Sequence, residues 1–555
     1  MASEFVWFSY GNARSKRNVG VTHVNGAAVQ LSEVYTRTGG RSNGGGPVVA
    51  LRDPCGTHIR EDGRMAVIAH PAIERTEVDG VPVLWSAVPG PLTVALVFRV
   101  GRVDEQPPKA GITHAIEHLA MAPLDQPRYD HNAFVDATRT VFHATGRPDE
   151  LTGFFGSVSR SLAALPVARL VVERDVLLRE ADGRGDSIAE MHRNFRFGLV
   201  GHGLVGQPEF GLAALTEKAA LEWAGRSFGR GNAMAWVSGP PPAGLRFELA
   251  DGERLPVPTP APIADVRLPA VVDDSDSGAA FGFLLSRQLG AASFVSILQH
   301  RLRRRLRAEL GLVYDVLGDY DPLDGTSALA LVGADCAADS TQQVVDLGIA
   351  ELESLARGEA TDAELAEELG DLERAMEDPG AVMGLLDALV QDELLGLPYR
   401  SPEERYEEQR TTNAGHIGAR AAEALGSALV LSHIHTLPAG FSAYPRSSPA
   451  PVGGREVKPF LSVLGLGPKM RLTIGPDGVS VRHGDGTFMT VRYADCVILE
   501  HPVEDELVMW GRDGVRLYVP AVFWRGGEDV LAEIRRSVPP EVVVTHKMSH
   551  DLIEG

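Results

Sequence analysis

The sequence predicts an α+β protein: two α/β-layer units of similar size, followed by a small β-rich domain. Three observations carry this. The order strand, helix, strand, helices, strand runs twice along the chain, over residues 66–250 and again over 270–442. Proline-rich segments separate the parts, from Leu255 to Pro269 and from Tyr444 to Gly454. Residues 457–555 hold short strand signals punctuated by Pro476-Asp-Gly478, Asp485-Gly486 and Asp513-Gly514, the turn chemistry of hairpins.

The elements follow in order. Residues 1–65 are rich in Gly, Ser, Arg and Asn and show no amphipathic period, so they are expected to be a low-complexity, disordered tail. Met65 is a candidate alternative start. Val81–Trp85 and Leu92–Phe98 read as strands, and a helix is expected around His114 to His118. Leu170 to Glu180 is strongly helical, and Asn232 to Ser238 reads as a closing strand. The second unit opens with a strand at Ala279–Leu285 and one long helix from about Ser293 to Leu310. A strand at Ser327–Val332 and acidic helices over 340–425 complete it. In the last domain, five or more short strands and a helix from Glu528 to Arg536 suit a small barrel of the pleckstrin-homology kind.

Composition narrows the function. The apolar share, 44%, is ordinary for a globular protein. A net charge of −21 disfavours nucleic acid and anionic membrane surfaces as partners, because both need clustered Lys and Arg. The one basic cluster, Arg301-Leu-Arg-Arg-Arg-Leu-Arg307, is expected to be a solvated helix face. So is the acidic stretch Asp362, Glu364, Glu367 and Glu368. Cys55, Cys336 and Cys496 are too scattered for a disulfide framework or a cysteine-ligated metal. With no membrane-length apolar run and no evident secretory signal, a cytoplasmic protein is expected.

The sharpest feature is Gly111-Ile-Thr-His-Ala-Ile-Glu-His118. On a helix, His114 and His118 stand one turn apart on one face, and Glu117 lies beside that face. Two imidazoles so placed can hold one Zn2+, with the carboxylate in reach of a water bound to it. This is the H-x-x-E-H arrangement. On the motif alone, an amphipathic helix carrying two histidines by chance stays open.

Further residues carry a family resemblance. Gly101 and Glu105 precede the motif, and Asn132-Ala133 leads into the Thr-rich Thr138–Phe142. Glu173-Arg-Asp-Val-Leu-Leu-Arg-Glu180 forms a two-glutamate helix, and Leu306-Arg-Ala-Glu-Leu-Gly-Leu-Val-Tyr314 follows in the second unit. Together, over roughly residues 66–440, these resemble the pitrilysin/insulinase family of zinc metallopeptidases, in particular its shorter two-domain branch. The resemblance implies two peptidase-like domains. It also implies Zn2+ held by His114, His118 and Glu180, with Glu117 as general base on a zinc-bound water and Glu173 supporting the ligands. Asn132, Arg307 and Tyr314 would bind the peptide substrate. The expected activity is that of a zinc endopeptidase acting on peptides or unfolded segments inside a closed chamber. Such a chamber is built by two chains, either a homodimer or a heterodimer with a related subunit. The alternative is a non-catalytic scaffold or partner subunit, although such members usually lack one of the four residues present here.

Two departures stand out. His118 and Glu180 are 62 positions apart, fewer than the family usually has, and Met121–Asp130 replaces a longer loop. That change alters one wall of the cleft rather than the metal ligands. Residues 457–555 have no counterpart in the family pattern, and every candidate site residue precedes residue 315. The last domain is therefore expected to be separable from the chemistry. Two weaker patterns are set aside. Gly201-His-Gly-Leu-Val-Gly206 fits G-x-G-x-x-G without a strand-turn-helix context, and His433-Ile-His435 reads as a polar strand face.

Overall fold

The computed structural model describes residues 72–124, 129–182, 187–273, 278–460, 470–502 and 505–545. The expected tail over 1–65, Met65 and Cys55 lie outside them.

Strands β1 (Glu74–Val78), β2 (Val81–Trp85) and β3 (Leu92–Phe98) lead to helix α1 (Ile112–Met121). Strands β4 (Asp130–Val135) and β5 (Thr140–Gly146) follow, then helices α2 (Pro148–Ala163), α3 (Leu170–Asp182), α4 (Ile188–Phe197) and α5 (Glu217–Ser227), and strand β6 (Ala233–Val237). The sheet order is β1-β2-β6-β3-β5-β4. The second unit contains β7 (Ala270–Val272), β8 (Ala279–Ser286), α6 (Ala291–Leu302), β9 (Val313–Pro322) and β10 (Ser327–Cys336). It continues with α7 (Thr341–Ala356), α8 (Asp362–Glu377), α9 (Pro379–Leu394), α10 (Pro402–Arg410), α11 (Ala414–Ser427), β11 (Leu429–Leu431) and β12 (Ser442–Ala443). Its sheet order is β12-β7-β11-β8-β10-β9.

The duplication expected from sequence is explicit in the topology. The run β2-β6-β3-β5-β4 corresponds to β7-β11-β8-β10-β9. The first pair of each run is parallel and the other three are antiparallel. In each unit a glycine in the left-handed region opens the helix after the central strand: Gly111 at φ 94° before α1, and Gly290 at φ 83° before α6.

Both faces of each sheet are covered, which is why β3 reads as an unbroken apolar run. Val94, Leu96 and Phe98 of β3 face α1, α2 and α5. Ala95 and Val97, on the opposite face, pack with Trp236 against Met383, Leu386 and Val390 of α9. The second sheet is treated the same way. Phe281, Phe283 and Leu285 of β8 pack against α6, α7 and α11. Its other face meets Met191, Phe195 and Phe197 of α4. The corresponding helices α4 and α9 are thus exchanged, each covering the other unit's sheet. Polar contacts lock the exchange: Arg196 Nη2 donates to the Gly282 and Ser427 carbonyls at 2.9 and 2.8 Å, and Arg139 pairs with Asp387 at 2.8 Å.

Four expectations are corrected. The long helix expected from Ser293 to Leu310 is α-helical only to Leu302 and π-helical over Arg303–Glu309; the wider turn keeps Leu306 buried and sets Arg303 and Arg307 beside Asp315. Arg301 is not solvated: it is buried, and Glu364 of α8 binds its guanidinium through both oxygens at 2.7 and 2.8 Å. The same bidentate pairing removes Glu364 from the solvated acidic face. His433 and His435 lie beyond β11, outside a strand, and His433 Nδ1 is 2.6 Å from Asp273.

The C-terminal part has two four-stranded sheets with separate ladders. The first is β13 (Arg455–Val457), β14 (Arg471–Ile474), β15 (Gly478–Arg482) and β16 (Phe488–Arg492). The second combines β17 (Cys496–His501), β18 (Glu506–Gly511), β19 (Arg516–Pro520) and β20 (Val543–Thr545) in the order β19-β18-β17-β20. Helix α12 (Gly527–Ser537) closes their shared core with Val530, Leu531 and Ile534. Gly486 and Gly514 take the positive φ that the hairpin signals required. This module is not detached. Val497, Ile498 and Val544 form one buried cluster with Ala110, Leu199, Leu204 and Phe210 of the first unit.

Candidate metal centre

Helix α1 is placed by its own sequence. Ile112, Ala115, Ile116, Leu119 and Ala120 are buried against the first sheet, which turns His114 and His118 toward α3. Glu105 caps the helix start, accepting from the Gly111 and Thr113 amides at 2.8 Å each. Trp223 of α5 donates to the Thr113 hydroxyl at 3.1 Å.

His114 and His118 sit with ring centroids 4.9 Å apart. Helix α3 brings Glu180 to them: its Oε2 is 3.9 Å from His114 Nε2 and 3.8 Å from His118 Nε2. The ligand atoms of His114, His118 and Glu180 all lie within 4.8 Å of one another. Glu117 is buried beside them, with Oε2 3.7 Å from His114 Nε2. Glu173, seven residues before Glu180, reaches the far side of His118: its Oε2 is 3.6 Å from Nδ1, while Oε1 accepts from Arg169.

One carboxylate that sequence reasoning missed completes the group. Glu209 Oε1 lies 3.0 Å from His114 Nδ1 and 3.5 Å from Arg102. It comes from the turn Gln207-Pro-Glu-Phe210, where no spacing or periodicity marks it. Each histidine thus has a carboxylate on its Nδ1 side, which favours the tautomer that leaves Nε2 unprotonated and facing Glu180.

The electrostatics follow from this crowding. Burial first, then the carboxylates of Glu180, Glu209 and Glu173, push Glu117 up to about 7 against the pull of His114. Burial pulls His114 down, but the hydrogen bond and charge of Glu209, with Glu117 and Glu180, outweigh it and the net shift is upward. Burial and the neighbouring His114 lower His118. Two imidazoles and one carboxylate converging in this way, with their outer nitrogens already facing acceptors, fit a Zn2+ site with a fourth position left open.

The remaining candidates are elsewhere. Asn132 is exposed on β4, the edge strand of the first sheet, opposite His143. Arg307 and Tyr314 are brought together, the guanidinium 5.6 Å from the ring centroid and the tyrosine 73% exposed. No described hydrogen bond, ion pair or ring contact links either to His114, His118 or Glu180. Gly201–Gly206 is a 3-10 turn that buries His202, not a phosphate cradle between a strand and a helix.

No family model and no curated protein sequence matches the chain. Solved structures do. A protease from Helicobacter pylori is 18% identical and covers 65% of this chain and 99% of its own at a TM-score of 0.53. The inactive domain of an M16 peptidase from Pseudomonas fluorescens is 13% identical and covers 65% of this chain and 97% of its own at 0.54. The fold is that of the M16 peptidases. Pitrilysin itself is 16% identical at a TM-score of 0.52, covering 67% of this chain and 46% of its own. The M16-like fold agrees with the two peptidase-like units expected from sequence.

Proposed function

We propose that the protein is a zinc-dependent endopeptidase with the M16 fold. The observation that carries this is the convergence of His114, His118 and Glu180 from two helices, with Glu117 buried beside them. His114 and His118 would hold Zn2+ through Nε2, and Glu180 through a carboxylate oxygen. When bound, the metal would polarise the scissile carbonyl and acidify the attacking water. Glu117 takes the proton from that water and passes it to the leaving amine. Glu173 and Glu209 hold the two rings in register. Among the described residues β4 is an edge strand, which would let an extended peptide pair along it with Asn132 beside it.

Among the described residues no hydrogen bond, ion pair or ring contact joins Arg307 or Tyr314 to the metal group of their own chain, so in this reading they meet substrate held by a facing chain. The chain covers 46% of pitrilysin, which supports pairing of two such chains, either identical or related. A non-catalytic scaffold is the second reading, favoured by the likeness to an inactive M16 domain.

The deciding experiment is elemental analysis together with digestion of a peptide library. Zinc at about one per chain and hydrolysis lost in Glu117→Gln are expected. A zinc-loaded chain that cleaves nothing supports the scaffold, and a chain that takes up no zinc overturns both the metal and the mechanism.

A further inference from the structure

The turn carrying Glu209 is clamped from two sides. On the inside it lies on the start of α1. Gly211 N donates to the Ala110 carbonyl at 2.9 Å, and a Cβ placed on Gly111 would stand 2.7 Å from Glu209 Cβ and 2.7 Å from Leu212 Cγ. A glycine before the motif is therefore needed for the Glu209 turn to approach at all. On the outside the same turn meets the C-terminal module. Phe210 is buried against Val497, Ile498 and Val544, and its ring centroid is 5.6 Å from that of Trp510. Trp510 is itself pinned, donating to Glu500 at 2.6 Å with Arg516 stacked 5.2 Å from its ring. Leu199 N donates to the Arg512 carbonyl at 3.0 Å, tying a second point of the first unit to the hairpin after β18.

We propose that Glu209 is a positioning residue for His114, and that the C-terminal module acts on the metal centre by holding the Glu209 turn against α1. The proposal rests on the zinc reading above. A carboxylate on Nδ1 fixes both the ring plane and the tautomer of a ligating histidine, and it raises the basicity of Nε2. Arg102 keeps Glu209 from turning away: it reaches that carboxylate at 3.5 Å and the Gln207 carbonyl at 2.7 Å. With Phe210 anchored under the half-buried Trp510, the turn cannot swing outward without exposing the buried Phe210 ring. This gives the module a task in the chemistry although it contributes no ligand, and it replaces the expectation that residues 457–555 are separable from the site.

The test uses the full-length chain and reads the Zn2+ dissociation constant by competition with a chromophoric chelator, with circular dichroism as the check of folding. His118→Ala is expected to abolish tight binding. Glu209→Ala is expected to weaken it by about 10–100-fold. Glu209→Gln, whose amide oxygen still accepts from Nδ1–H, recovers part of that loss, a rescue that a purely structural role would not show. Trp510→Ala weakens binding in the same direction. If that variant does not fold, Phe210→Leu removes the ring contact while keeping an apolar side chain. Wild-type affinity in Glu209→Ala, with His118→Ala still abolishing binding, overturns the role of Glu209 and leaves the zinc site standing. Weakened Glu209→Ala beside unchanged Trp510→Ala or Phe210→Leu overturns the role of the module. A wild-type chain that binds no zinc overturns the metal reading and this proposal with it.

Discussion

Asp387 on α9 accepts from Arg139 at 2.8 Å, and both side chains are buried although the residues belong to different units. The other oxygen of Asp387 accepts from Trp236 Nε1 at 3.0 Å. Arg139 lies just before β5 and Trp236 lies on β6, so a single carboxylate satisfies two donors on the sheet that α9 covers. The ion pair marks the exchanged helix as part of the first unit's core.

Removing one partner of a buried ion pair costs most when the other charge is left alone. Here Arg139 Nε also donates to Asp136 at 2.8 Å, so the loss is that of an unmet buried donor, about 1–3 kcal/mol. Asp387→Ala is accordingly expected to lower unfolding stability by that order, and Asp387→Asn by less, because the amide oxygen can still accept. Urea denaturation of the two variants checks this. Loss of less than about 1 kcal/mol in Asp387→Ala would mean that water reaches Arg139 and that α9 is not a tight cover.

Glu117→Gln is expected to retain zinc and to lose at least about 100-fold in peptide hydrolysis, the usual contribution of a positioned general base. Glutamine keeps the shape but cannot take the proton. Zinc content and steady-state kinetics on one preparation check it. Hydrolysis at the wild-type rate would assign the proton transfer to another group.

How much was legible follows the distance over which each feature is encoded. His114, Glu117 and His118 are legible because one helical turn sets their geometry. Glu180 is legible through its resemblance to the two-glutamate helix, since nothing local ties it to His118. Glu209 was invisible: its turn reaches His114 from 95 positions away and carries no periodic signal. The exchange of α4 and α9 was hidden for the same reason. The unbroken apolar run shows that β3 is covered on both faces but does not say by which helix. Arg301 was misread because charge runs are usually solvated, and only the packing of α6 on α8 brings Glu364 to it.

Arg307→Ala is expected to lower kcat/KM with zinc content unchanged. Loss of one charge-assisted hydrogen bond is worth about 1.5–3 kcal/mol, or roughly 10–100-fold. If a facing chain supplies Arg307, mixing the Arg307→Ala chain with the Glu117→Gln chain rebuilds one intact site, and activity rises above that of either variant alone. The assay is peptide cleavage against mixing ratio. No gain on mixing, with both variants paired as judged by light scattering, would mean that Arg307 serves the site of its own chain.

The last prediction concerns acid stability. His192 of α4 is fully buried against the second sheet, with Nε2 3.2 Å from the Ala280 carbonyl and its ring against Gly282. Burial, reinforced by the charge of Arg196, pushes it down to about 3. In the unfolded chain a histidine titrates near 6.5. Above that pH it is neutral in both states and contributes nothing to pH dependence. As pH falls from about 6.5 toward 3, the unfolded state takes up a proton that the folded state refuses, so stability drops by up to about 1.4 kcal/mol per pH unit. Asp321, which burial pushes up to about 6, works in the opposite sense over part of this range. The comparison must therefore be made between variants rather than read from the wild-type curve alone. His192→Gln keeps a donor for the Ala280 carbonyl and removes the titration. Its unfolding free energy is expected to fall less steeply than wild type between pH 6.5 and 4, while the two slopes agree above pH 7. Parallel curves across the whole range would show that His192 accepts its proton without leaving the interface, and that α4 does not hold it as tightly as its burial requires.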